Sequence, residues 1–142
     1  MRSLYDVNVL IALFDPQHTQ HAKAKTWHEG VAQAGWATCP ITQNGLLRIV
    51  SQPRYPHPAS VAELLGLLGK ATRDPSHQFW PDDISLATTG MLNAKIALTS
   101  GALTDVYLLS LAVKHTGCLV TLDTRIHREA VTGASAEHLV VL

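Results

Sequence analysis

The stretch TDVYLLSLAVKHTGCLVTLD, residues 104–123, decides the fold. Val106, Leu109 and Val113 recur at the spacing of one helical face, with Ala112 beside them. Thr104 is placed to cap this helix, Lys114 and His115 bring positive charge to its last turn, and Gly117 reads as a left-handed stop. Cys118 to Leu122 then runs apolar without alternation, the pattern of a strand covered on both faces. A helix leading straight into such a strand is one unit of a parallel α/β sheet.

Working outward, the same alternation extends along the chain. A short strand is expected to end near Tyr5, with Asp6-Val7-Asn8 opening a helix through Val9, Leu10, Leu13 and Phe14. A second helix is expected within Thr19 to Ala34, with Ala24, Trp27 and Val31 on one side. Trp36 to Cys39 reads as a strand stopped by Pro40, and Thr42 to Val50 as a helix. Pro53, Pro56 and Pro58 make the next segment a loop, after which Pro58 is placed to start a helix with Val61, Leu64, Leu65 and Leu68 on one face. His77 to Trp80 is expected as a third strand, Pro81-Asp82-Asp83 as the start of a short helix, and His138 to Leu142 as the last strand. The expected architecture is a single three-layer α/β domain over residues 1–142, with a mostly parallel sheet flanked by helices.

Composition narrows the function. Of 142 residues, 46% are apolar, so the chain can bury one core. Lys plus Arg and Asp plus Glu both number 11, which argues against a broadly basic polyanion-binding surface. Charged residues are only 15%, and this scarcity points to surface covered by another copy or a partner. Cys39 and Cys118 match no metal spacing and read as buried thiols of a cytoplasmic protein. No apolar run suffices for a signal-peptide core or a membrane span.

Sites in parallel α/β domains form outside the carboxyl ends of the strands. Asp6 follows the first strand, Asp123 ends the strand from Cys118, and Asp105 opens the helix that leads to it. Singly, each has an ordinary use in a cap or turn. Together in one cleft they would repel unless a cation lay among them, and oxygen ligands without paired His or Cys favour Mg2+, with Mn2+ as the alternative ion, over zinc. His18 and His21 have no third ligand beside them and read as a helix face. Arg48 reads equally as a contact to phosphate or an acidic partner and as a structural ion pair. Trp27, Trp36 and Trp80 read as packing residues.

Four segments, in order, resemble the PIN domain family. They are Leu4-Tyr5-Asp6-Val7-Asn8-Val9-Leu10-Ile11, then Cys39-Pro40-Ile41-Thr42-Gln43-Asn44-Gly45-Leu46-Leu47-Arg48-Ile49, then Thr104-Asp105-Val106-Tyr107-Leu108-Leu109, and Leu119-Val120-Thr121-Leu122-Asp123. The likeness spans essentially the whole chain and is nearest to the VapC-type toxins of bacterial toxin–antitoxin pairs, the actinobacterial group above all. It implies a Mg2+-dependent endoribonuclease, a homodimer, and a cognate VapB-type antitoxin whose C-terminal segment covers the acidic groove. Asp6, Asp105 and Asp123 match family acids and would hold the metal. The remaining family acid, a glutamate in the helix after the second strand, falls on Gln43, which offers a carbonyl oxygen but no charge. Weakened metal binding and slower hydrolysis are expected from that departure. Asn8 and Thr121 are expected to support the carboxylates by hydrogen bonds.

Two other readings stand beside this one. The chain could be a catalytically impaired PIN-like module that only binds its antitoxin, with Gln43 as the mark of lost catalysis. It could also be a phosphoryl-transfer domain with Asp6 as acceptor, although Asn8 stands where a phosphatase would carry a second aspartate.

Overall fold

The computed structural model describes every residue except Ala32. Five strands form one sheet: β1 (Ser3–Tyr5), β2 (Trp36–Thr38), β3 (His77–Phe79), β4 (Cys118–Thr121) and β5 (Leu139–Val141). Their order is β3-β2-β1-β4-β5, and every neighbouring pair is parallel. The helices are α1 (Val7–Phe14), α2 (His21–Gly30), α3 (Pro40–Val50), α4 (Val61–Ala71) and α5 (Leu103–Lys114). This is the expected three-layer α/β arrangement.

Alternation along the strands builds a core on each face of the sheet. Tyr5, Trp36 and Val120 face one side, packed with Val9 and Leu10 of α1, Leu46 and Val50 of α3, and Leu64 and Leu68 of α4. Leu4, Ala37 and Leu119 face the other, against Val106, Leu109 and Ala112 of α5 and against Trp80 and Val131. At ~25 cal/mol per Å2, each fully buried Leu or Val contributes roughly 1.5–3 kcal/mol, so β1 and β4 are held mainly by their two apolar faces. Close approach also matters: a Cβ on Gly45 of α3 would lie 2.5 Å from Val7 Cγ2, so this glycine lets α3 meet the first turn of α1.

Several expectations are corrected. Helix α2 is shorter than its apolar spacing suggested and ends at Gly30. Pro40 stands at the first position of α3, which therefore starts earlier than Thr42. Ser60, not Pro58, caps α4, paired with Glu63 in a reciprocal cap, and Val61 and Leu65 of that helix are exposed. No helix forms at Pro81-Asp82-Asp83. Instead Asp83 leaves the strand end to bind Lys114 Nζ at 2.8 Å. Thr104 does not cap α5, because a 3-10 turn, Ser100–Ala102, runs directly into it and moves the cap position to Ala102. The left-handed residue after α5 is Thr116, with φ of 52°. Gly117 serves close packing instead: a Cβ there would meet the Arg2 carbonyl and the Trp80 ring, both at 2.6 Å.

Cys39 and Cys118 are buried free thiols. Among the described residues, no helix is long and apolar enough to cross a membrane.

Candidate active site

The chain runs outward from β1 through β2 to β3, then crosses back to β4 on the other side of β1. The carboxyl ends of β1 and β4 therefore flank the point where strand order reverses, the usual place for a site in such a sheet. Asp6 follows β1, Asp123 lies just past β4, and α5 runs antiparallel to β4, so its first turn brings Asp105 to the same rim.

Asp6 is the anchor. It is 6% exposed and caps α1, accepting a hydrogen bond from Val7 N at 2.6 Å. Its Oδ2 accepts from Thr121 Oγ1 at 2.6 Å and from Asn8 Nδ2 at 2.9 Å. Asn8 Oδ1 in turn accepts from Leu122 N at 3.0 Å, and Thr121 Oγ1 accepts from Asp123 N at 3.0 Å. Asn8 and Thr121 thus tie the start of α1 to the end of β4.

The charges feel one another. Burial raises the Asp6 carboxyl above its usual value, bonds from Thr121 and Val7 pull it back, and the Asp123 charge adds to the rise. Burial likewise raises Asp105, followed by repulsion from Asp6 and then Asp123, with Arg125 opposing. Asp123 is the reverse case: hydrogen bonds from Arg125 hold it down at about 2. Asp105 and Asp123 line a cleft of about 300 Å3 with Arg125, His127, Thr99, Gly101 and Ala102. A larger cavity of about 560 Å3 lies along α2 beside Trp27 and Leu142, and among its described lining side chains Lys23 alone is ionisable.

Among the described residues, no three His, Cys, Asp or Glu side chains stand close enough to make a finished cation cage. The donor chemistry nonetheless fits a hard divalent cation: three carboxylates, two of them raised first by burial and further by neighbouring aspartate charge, with no cysteine or histidine pair among them. Asp6, Asp105 and Asp123 are the residues that would hold it.

Gln43 does not join this group by any described hydrogen bond. Its Nε2 donates to Thr38 Oγ1 at 2.9 Å, and Thr38 Oγ1 also bonds His77 Nε2 at 2.9 Å. Arg48 is exposed and forms no ion pair among the described residues. His18 and His21 do not converge: His18 Nδ1 accepts from Gln20 N, while His21 Nδ1 lies 2.8 Å from the Ala12 carbonyl. Arg125 was not singled out in the sequence, although an arginine two residues past a strand-end aspartate, within the same turn, is a readable signal for an ion pair.

Residues 4–131 match the PIN domain model. This chain belongs to the PIN domain family. Within it the chain is of the VapC type: it is 46% identical over 142 residues, all of both chains, to "Ribonuclease VapC44" of Mycobacterium tuberculosis. It is also 36% identical over 134 residues to "Ribonuclease VapC39" of the same species, covering 94% of this chain and 96% of that one. The structure of VapBC2 from Rickettsia felis, bound to a DNA fragment from their promoter, superposes with a TM-score of 0.59. At 15% identity, over 88% of this PIN domain and 90% of that chain, the likeness is one of fold.

Proposed function

We propose that this PIN domain is a divalent-metal-dependent endoribonuclease, the toxin of a VapBC-type pair, with Mg2+ or Mn2+ held by Asp6, Asp105 and Asp123. What supports this reading is that three aspartates from distant parts of the chain feel one another's charge at the switch point between β1 and β4. Full-length similarity to proteins named as ribonucleases supports the reaction, and the VapBC title of the Rickettsia felis structure supports an antitoxin partner.

The chain's own residues supply position and charge. Asp6 is locked by Val7 N, Asn8 and Thr121, so one carboxylate is held in place before any ligand arrives. Asp105 and Asp123 offer their oxygens from the cleft wall. A bound divalent cation supplies Lewis-acid polarisation of a phosphodiester and lowers the pKa of water for in-line attack on phosphorus. Solvent-exposed Arg125 and His127 line the cleft, and recognition of single-stranded or looped RNA is the mode expected of such a site. Exposed Val61, Leu65 and Leu67 on α4 support coverage of that helix, by a second copy in a homodimer or by the antitoxin.

The test is incubation with total bacterial RNA and Mg2+. Cleavage is expected from the wild-type chain, and its loss is expected with EDTA or with Asp6→Asn. RNA left intact after long incubation with excess protein and either ion overturns the enzymatic reading. That outcome would instead favour an antitoxin-binding module without catalysis, which the turning of Gln43 toward Thr38 also suits.

A further inference from the structure

We propose that Arg125 is a substrate-binding residue of this site: its guanidinium competes with the divalent cation for Asp123 and, when released, takes the RNA phosphodiester. The second half rests on the nuclease reading above. The first rests only on the cation site of that reading, together with the Asp123–Arg125 geometry.

Arg125 holds Asp123 at three points. Nε donates to Oδ1 at 3.0 Å, Nη2 donates to Oδ2 at 2.8 Å, and the backbone N–H of the same residue donates to Oδ1 at 2.8 Å. The side chain is 86% exposed, and among the described residues Asp123 is its one partner. It lines the cleft with Asp105 and Asp123, and its charge acts on Asp105 as well. The guanidinium therefore pairs with Asp123 and lines the same cleft as Asp105, where it offsets part of the negative charge. A cation and this arginine draw on the same Asp123 oxygens, so each weakens the hold of the other.

What the fork does once released follows from its shape. Two parallel N–H groups suited to a carboxylate are equally suited to a phosphate, and exposure leaves the chain of Arg125 free to turn. The backbone bond to Asp123 keeps the residue at the cleft edge while its side chain changes partner. A phosphodiester reaching Asp105 and Asp123 would pass this wall, with His127 beside it.

Two measurements on the full chain test this, using Arg125→Ala and Arg125→Lys. The residue is an exposed loop side chain, so both variants should fold. The first measurement is Mn2+ binding followed by electron paramagnetic resonance without RNA. Arg125→Ala should bind Mn2+ about threefold more tightly, since a charge-assisted competitor is gone, with Arg125→Lys between it and wild type. Unchanged or weaker Mn2+ binding in Arg125→Ala overturns the competition. The second is cleavage of total bacterial RNA at saturating Mn2+. Arg125→Ala should raise KM about tenfold with kcat little changed, and Arg125→Lys should recover only part, because an ammonium lacks the fork. An unchanged KM overturns the phosphate contact. If wild type cuts no RNA, the nuclease reading and the phosphate contact fail together, while the Mn2+ titration still decides the competition for Asp123.

Discussion

Helix α1 carries a buried aspartate at each end, and the two differ in company. Asp6 at its start is 6% exposed and Asp15 at its end is 7% exposed. Asp15 is fully partnered: Tyr55 OH donates to Oδ2, His57 Nδ1 pairs with the same oxygen at 3.2 Å, and Gln17 N donates to Oδ1 at 2.9 Å. Burial alone would raise its carboxyl, but those bonds more than offset it and the carboxyl lies below its usual value. Asp6 also has three donors, yet burial and the Asp123 charge leave it raised. Burial raises both carboxyls; at Asp15 the hydrogen bonds outweigh it, and at Asp6 burial together with the lesser Asp123 charge prevails. Asp15 fastens the proline-rich loop to α1, and Asp6, with Asn8, ties the start of α1 to the end of β4.

The contrast can be broken most forcefully at Asp15. Asp15→Ala leaves the Tyr55 hydroxyl and His57 without their acceptor, and should cost about 3 kcal/mol in urea unfolding while the folded fraction keeps its nuclease rate. A loss of activity beyond the unfolded fraction would mean that the loop reaches the cleft. Next in size, Asp105→Asn should abolish cleavage yet raise Tm slightly, because it removes a charge repelled by Asp6 and Asp123. A lowered Tm would show that Asp105 is not strained.

Acid titration sharpens the same difference through opposite signs. Asp15 has a depressed folded pKa, so its stabilisation is present above the unfolded value and is lost as pH falls through the folded one. The destabilisation caused by Asp15→Ala should therefore shrink as pH falls. Asp6 and Asp105 have raised folded pKa values, so between the unfolded and folded values the native state binds extra protons and gains stability as pH falls. Mn2+ affinity should fall as pH drops toward the ordinary aspartate value of about 3.9, because protons and the cation compete for the same carboxylates. The smallest effect is expected at Gln43. Gln43→Glu gives up the bond to Thr38 and adds a charge near the rim, and Mn2+ affinity should rise by only about threefold. No change would place the residue outside the site.

Much of this was legible in residues 104–123, where helical spacing and an apolar strand specify the α5–β4 unit and Asp123 marks its end. The misreadings have local causes. Thr104 was a good cap by type, but the 3-10 turn before it supplied an earlier helix start. Gly117 was credited with backbone freedom that Thr116 takes, since the contact with Arg2 and Trp80 lies far off in sequence. The Asp15–Tyr55–His57 lock joins residues some forty positions apart and has no periodic trace. The positions of Asp6, Asp105 and Asp123 at strand ends and a helix start are legible in the sequence. The direction of Gln43 is not, because either side of α3 could have taken it.

The central claim is that Asp6, Asp105 and Asp123 share one divalent ion. Anomalous diffraction from crystals of the full chain soaked in Mn2+ tests it directly. A manganese peak in contact with carboxylate oxygens of all three is the expected result. A peak that leaves out Asp6, or none at saturating Mn2+, contradicts it.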